Sequence, residues 1–113
     1  MSVSQARVAT DRPARYGKQL AAHMGRKVQA EWCEEAGRGE LVFGAGTATL
    51  TAEPDALLLV VEGAEGDLPQ LEDVVGRHLV RFGARDELVV EWHRDSGEAG
   101  LVHRNEEEPA SGE

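Results

Sequence analysis

The stretch Asp67 to Trp92, DLPQLEDVVGRHLVRFGARDELVVEW, constrains the fold more than any other part of the chain. Leu68, Leu71, Val75, His78, Leu79 and Phe82 recur at three- and four-residue spacing, which predicts an amphipathic helix. Asp67 stands where an N-cap belongs, and Gln70 completes a capping box three residues on. Pro69 suits the first turn, where its missing N–H costs nothing. Arg81 falls in the last turn, and Gly83 stands where a left-handed C-cap belongs. Leu88, Val89, Val90 and Trp92 then predict a short strand. A helix with one apolar stripe, followed at once by a strand, must lay that stripe on a sheet.

The preceding residues supply the rest of the sheet. VSQARVAT over 3–10 predicts a first strand, with Ala6 and Val8 on one face. Thr10 and Asp11 are candidate caps for a helix that has Pro13 in its first turn and ends near Met24 before Gly25. Tyr16, Leu20, His23 and Met24 form its apolar stripe, with Arg15 and Lys18 on a different side. Val28, Ala30 and Trp32 alternate with Gln29, Glu31 and Cys33 as a half-buried strand. Leu41 and Phe43, then Ala48, Leu50 and Ala52 set against three threonines, predict two more strands. Leu57 to Val61 is unbroken and apolar. Gly37 to Gly39, Gly44 to Gly46 and Pro54-Asp55 mark the turns.

Short links between the middle strands imply an antiparallel meander. The expected fold is α+β: a two-layer sandwich of order β-α-β-β-β-β-α-β, both helices on one face, like TATA-binding-protein-like or helix-grip architectures. Residues 1–95 form the single domain in this reading, and 96–113 an acidic disordered tail containing Glu106-Glu107-Glu108.

Charge and cysteine content limit the function classes. The net charge of −9 argues against nucleic-acid binding. It is unevenly spread: residues 1–27 carry a net +5 and the remainder −14. The plain reading is complementarity within the fold, and the functional one an anion-facing patch on the first helix. The lone Cys33 excludes an internal disulfide framework and favours a reducing, cytoplasmic setting. No apolar run is long enough for a membrane span, and the first residues lack a signal-peptide core.

The candidate ligand-binding residues are Tyr16, His23, His78, Arg15, Lys18 and Lys27. His23 and His78 lie on their helices' apolar stripes and are expected to point toward the sheet. A buried imidazole needs a partner for each N–H. A backbone carbonyl, a carboxylate or the Tyr16 hydroxyl would supply one. A ligand-binding or acid–base role is the alternative, since histidine titrates near neutrality. Metal binding lacks a third ligand and any recognisable spacing, so no metal and no cofactor are expected. Cys33, beside Glu34 and Glu35, is a poor nucleophile. Glu72 and Asp73 are placed on a solvated helix face, and no catalytic residue is assigned. Gly76 sits mid-helix at a cost of about 1 kcal/mol relative to alanine, which close approach of another element would explain.

Arg12-Pro13-Ala14-Arg15-Tyr16, Lys18-Gln19-Leu20, His23, Lys27, Leu71 to Leu79 (LEDVVGRHL) and Arg81-Phe82 together resemble the bacterial domain-of-unknown-function family 2218, over roughly residues 5–94. Where that family often has a second histidine, this chain has Arg26, which weakens any metal site built on a histidine pair there. The resemblance implies a small bacterial α+β protein with no established activity, in a gene context that sometimes involves siderophores and iron handling.

Three functional readings follow, in order. The first is a small binding or accessory module for an anionic or iron/siderophore-related metabolite. The second is a homodimeric interaction module, joined through an open sheet face that would expose Leu58, Val60 and Val89 together if their strands are neighbours. An enzyme comes last.

Overall fold

The computed structural model describes residues 2–82 and 88–104, without the Phe82 side chain. The expectations for Phe82 as a core residue, for Gly83 and for the acidic run 106–108 therefore fall outside the described residues. The elements run β1 (Ser2–Ala9), α1 (Pro13–Met24), β2 (Gln29–Cys33), β3 (Arg38–Phe43), β4 (Gly46–Glu53), β5 (Ala56–Gly63), a 3-10 turn (Glu65–Asp67), α2 (Leu68–Phe82), β6 (Val89–Arg94) and β7 (Ala99–Arg104). The strands form one antiparallel sheet in the order β2-β3-β4-β5-β1-β6-β7.

Strand alternation decides which face is covered. Val8, Leu41, Leu50, Leu59 and Val90 lose all solvent contact, and Trp92 nearly all. They meet the stripes Tyr16, Leu20, Ala21 and Met24 of α1 and Leu68, Leu71, Val75 and Leu79 of α2. α1 lies over β2, β3 and β4, whereas α2 lies chiefly over the β7 side, and the two helices touch. The opposite face carries threonines and charged residues, including Arg7 paired with Glu53 at 3.1 Å and Asp55 at 2.7 Å.

Local capping differs in detail from expectation. Thr10 caps indirectly: its Oγ1 accepts the Arg12 N–H at 3.0 Å one residue ahead of α1. Asp67 closes the 3-10 turn that runs straight into α2.

Two expectations are corrected. The stretch placed in the tail contributes a seventh strand, so the described domain reaches Arg104. Its period is broken by a bulge. Glu91 pairs with Val102 and His93 with Ala99, so two residues, Gly100 and Leu101, stand opposite Trp92. A strand that slips by one residue shows no two-residue alternation. The second correction concerns the open face. β5 and β6 are not neighbours, because β1 runs between them. Gln5 and Arg7 of β1 stand beside Val60 and Leu58, and Gln5 is also opposite His93. Polar side chains thus separate Leu58 and Val60 from Val89, so among the described residues these three do not form the contiguous patch that neighbouring strands would have made for a homodimer.

Candidate functional site

The α1–α2 seam brings two of the candidate residues into contact. His23 is in the last turn of α1 and His78 in the middle of α2. Their ring centroids are 5.1 Å apart and the rings are tilted by 42°. Both rings are half-buried at the seam between the helices, where the stripes had suggested the sheet. His78 Nδ1 lies 2.7 Å from the Val74 carbonyl oxygen one turn back. A carbonyl only accepts, so Nδ1 carries the proton and donates to it. The His23 pKa is lowered from its ordinary value, first by burial, then by the positive charge of His78, Arg26, Lys27 and Arg81. Residues from the last turn of α1, the loop after it and the last turn of α2 thus gather cationic groups around one imidazole.

The other candidates lie elsewhere. Tyr16 is buried in the core between α1 and the sheet. Lys27, past the end of α1, belongs to the seam through its charge on His23. Arg15 and Lys18 are exposed on another side of α1, near Trp32 of β2. Lys18 Nζ forms an ion pair with Glu34, and its hydrogen bond and charge hold the Glu34 carboxyl below the usual range.

The largest departure from expectation is Glu72. It is fully buried, although the sequence reading placed it on a solvated face. Arg94 of β6 grips it with two hydrogen bonds, Nε to Oε2 and Nη2 to Oε1, both 3.0 Å. The Leu101 N–H, turned inward at the bulge, donates to Oε1 at 3.1 Å. Burial acts most strongly on its pKa and pushes it up. Hydrogen bonds from Arg94, the Ser4 hydroxyl and Leu101, with the Arg94 charge, outweigh that, and the net shift is downward. The Ser4 contact is the weakest part, since its fully buried Oγ falls short of a well-formed hydrogen bond. One turn-edge away, Asp73 Oδ1 lies 3.3 Å from His103 Nε2 of β7, and Asp73 Oδ2 lies 3.5 Å from Arg77.

One signal for Glu72 was present. It stands four residues after Leu68 and three before Val75, within the apolar stripe. Its partner Leu101 comes from the strand whose bulge hid it. Among the described residues, no group of three or more His, Cys, Asp or Glu side chains could hold a metal ion, and no helix is long and apolar enough to cross a membrane.

The geometry is that of a small α+β domain: a seven-stranded open sheet, two helices on one face, and a polar seam between them. Residues 5–93 match the family described as "Uncharacterized protein conserved in bacteria (DUF2218)", and the chain belongs to that family. It is similar to PA4090 from Pseudomonas aeruginosa, solved by NMR, at 28% identity and a TM-score of 0.62 over 96% of this chain and 100% of that one. No curated protein matches the chain.

Proposed function

We propose that this protein is a binding module for a small anionic ligand, received at the α1–α2 seam by His23, His78, Arg26, Lys27 and Arg81. One observation carries the reading. Among the described residues His78, Arg26, Lys27 and Arg81 each act to lower the His23 pKa, in a chain whose net charge is −9. Gathering like charges at one point costs free energy, and a bound anion offsets that cost. The two imidazole rings add hydrogen-bonding capacity beside the cations. Polycarboxylates and anionic iron chelates fall within the ligand class. The free, exposed thiol of Cys33 supports a reducing, cytoplasmic setting.

The test is a pH titration of the histidine ring resonances by NMR, in chloride and in citrate at matched ionic strength. Citrate at the seam stabilises the protonated imidazole and raises the His23 pKa, and the double variant Lys27→Gln/Arg81→Gln abolishes the difference. Identical His23 titrations in the two salts would sink the proposal.

A further inference from the structure

The ring of Trp32 occupies a gap kept open by two glycines from different elements. A Cβ at Gly17 of α1 would come within 2.6 Å of Cη2 and Cζ3 of the indole, and one at Gly39 of β3 within 2.7 Å of Cε3. Real Cβ atoms do not approach that closely, so neither position admits a side chain while the ring stays where it is. The indole is therefore wedged along its benzo edge at the sheet's margin, yet it remains partly open to solvent.

Two of the clefts that Trp32 borders lie against α1. One, of about 470 Å³, is lined by Ala14, Arg15, Lys18, Trp32 and Glu34. The other, of about 360 Å³, shares Lys18, Trp32 and Glu34 and continues along Ala21 and Ala22. Both volumes fall in the range of small-molecule sites, which combine apolar walls with a few polar groups. The walls are an indole, three alanines of α1 and Ala30 of β2, and the charged residues are Arg15, Lys18, Glu34 and, in the second cleft, Glu31. Among the described residues Arg15 makes no ion pair, while Lys18 is taken up by Glu34. The Glu34 carboxylate therefore marks a place in the cleft where a carboxylate is accepted.

We propose that this cleft, apart from the histidine seam, binds a planar aromatic carboxylate. The ring stacks on the Trp32 indole, and the carboxylate bridges Arg15 and Lys18, displacing Glu34. Aromatic faces stack favourably on indole, and guanidinium and ammonium groups both accept a carboxylate partner.

The assignment is tested on the full chain by following the tryptophan indole and backbone N–H signals by NMR during titration with benzoate. Cyclohexanecarboxylate, of equal charge but not planar, is the comparison. Benzoate shifts the Trp32 indole signal saturably, together with the Arg15 and Lys18 amides, and spares Trp92, which is 1% exposed. Cyclohexanecarboxylate binds about tenfold more weakly, the affinity equivalent of one stacking contact. Arg15→Gln and Lys18→Gln weaken benzoate. Glu34→Gln, an exposed change that leaves the core alone, tightens it by releasing Lys18. The proposal is overturned if Trp32 shows no saturable shift up to about 10 mM benzoate, in the weakest range of specific affinities. Equal binding of the two acids, shifts confined to the histidine seam, or an unchanged affinity in Glu34→Gln would overturn it equally.

Discussion

Truncating Glu72 to alanine removes the acceptor from three hydrogen bonds, two from Arg94 and one from the Leu101 N–H. Hydrogen bonds to charged groups contribute about 1.5–3 kcal/mol each, so the gross loss is roughly 5–9 kcal/mol. Part is returned, because the folded protein no longer buries a carboxylate, a desolvation that costs several kcal/mol. Arg94 is left unpaired but not stranded: its side chain is 17% exposed and Glu98 lies 3.9 Å away. The expected net loss is therefore about 3 kcal/mol, at the low end for breaking a buried pair. For a domain of this size that lowers the Tm by roughly 12–24 °C. Glu72→Met with Arg94→Met should cost only about 1–2 kcal/mol, the orphaned Leu101 N–H being the main residue of the loss. The two changes are thus strongly non-additive. The pH dependence has a defined sign. The folded state holds the Glu72 pKa below its unfolded value, so the unfolded chain binds the proton more readily. That stability is fully present above the ordinary glutamate pKa and is lost as pH falls through the lowered folded value. Glu72→Gln should flatten that acid limb. Urea unfolding followed by circular dichroism, at neutral pH and below pH ~4, measures both effects. A loss below about 1 kcal/mol for Glu72→Ala, as for an ordinary surface change, would refute the reasoning.

Gly76→Ala should lower stability by about 1–2 kcal/mol instead of gaining helix propensity, because its Cβ would lie 2.4 Å from His103 Nδ1. Adding His103→Ala should recover most of that loss, which thermal melts of the single and double variants will show. Ending the chain at Asp95 removes β7 with its bonds to Glu72 and Asp73, and should give a clearly lower melting temperature than a chain ending at Arg104. His23 should titrate below the ordinary histidine range, and Arg81→Gln should move its midpoint upward in an NMR titration. An unmoved midpoint would show that the seam's charges do not act on the ring.

Much of the framework was legible because it rests on apolar period alone. Leu68, Leu71, Val75 and Leu79 of α2, Leu41 of β3, and Ala48 and Leu50 of β4 are buried as their spacing predicts, whereas Phe43 and Ala52 are only partly buried. The contact between His23 and His78 was half legible. Each ring could be placed on a helix stripe, but the stripe cannot tell a neighbouring helix from the sheet below it. Sheet order was not legible. β1 takes the place between β5 and β6 because its alternating Ser4, Ala6 and Val8 continue the covered face from Leu57, Leu59 and Val61, a pairing of distant segments that local pattern does not encode.

The strand β7 escaped for a physical reason that also explains Glu72. β7 has little apolar material to bury: Leu101 is 36% and Val102 54% exposed. Its attachment is therefore specific and polar, through the Leu101 N–H on Glu72 and His103 on Asp73. Both contacts demand room. A Cβ at Gly100 would sit 2.5 Å from Glu72 Oε2, and Gly76 clears the space for the His103 ring. The bulge that hides the strand from a search for alternation is what turns the Leu101 N–H inward. A carboxylate inside an apolar stripe is destabilising until the guanidinium and the backbone donor arrive, so Glu72 makes sense only with β6 and β7 in place. Gly76, Glu72 and the irregular segment after Asp95 thus form one arrangement. Read singly they look like a helix defect, a surface charge and a tail.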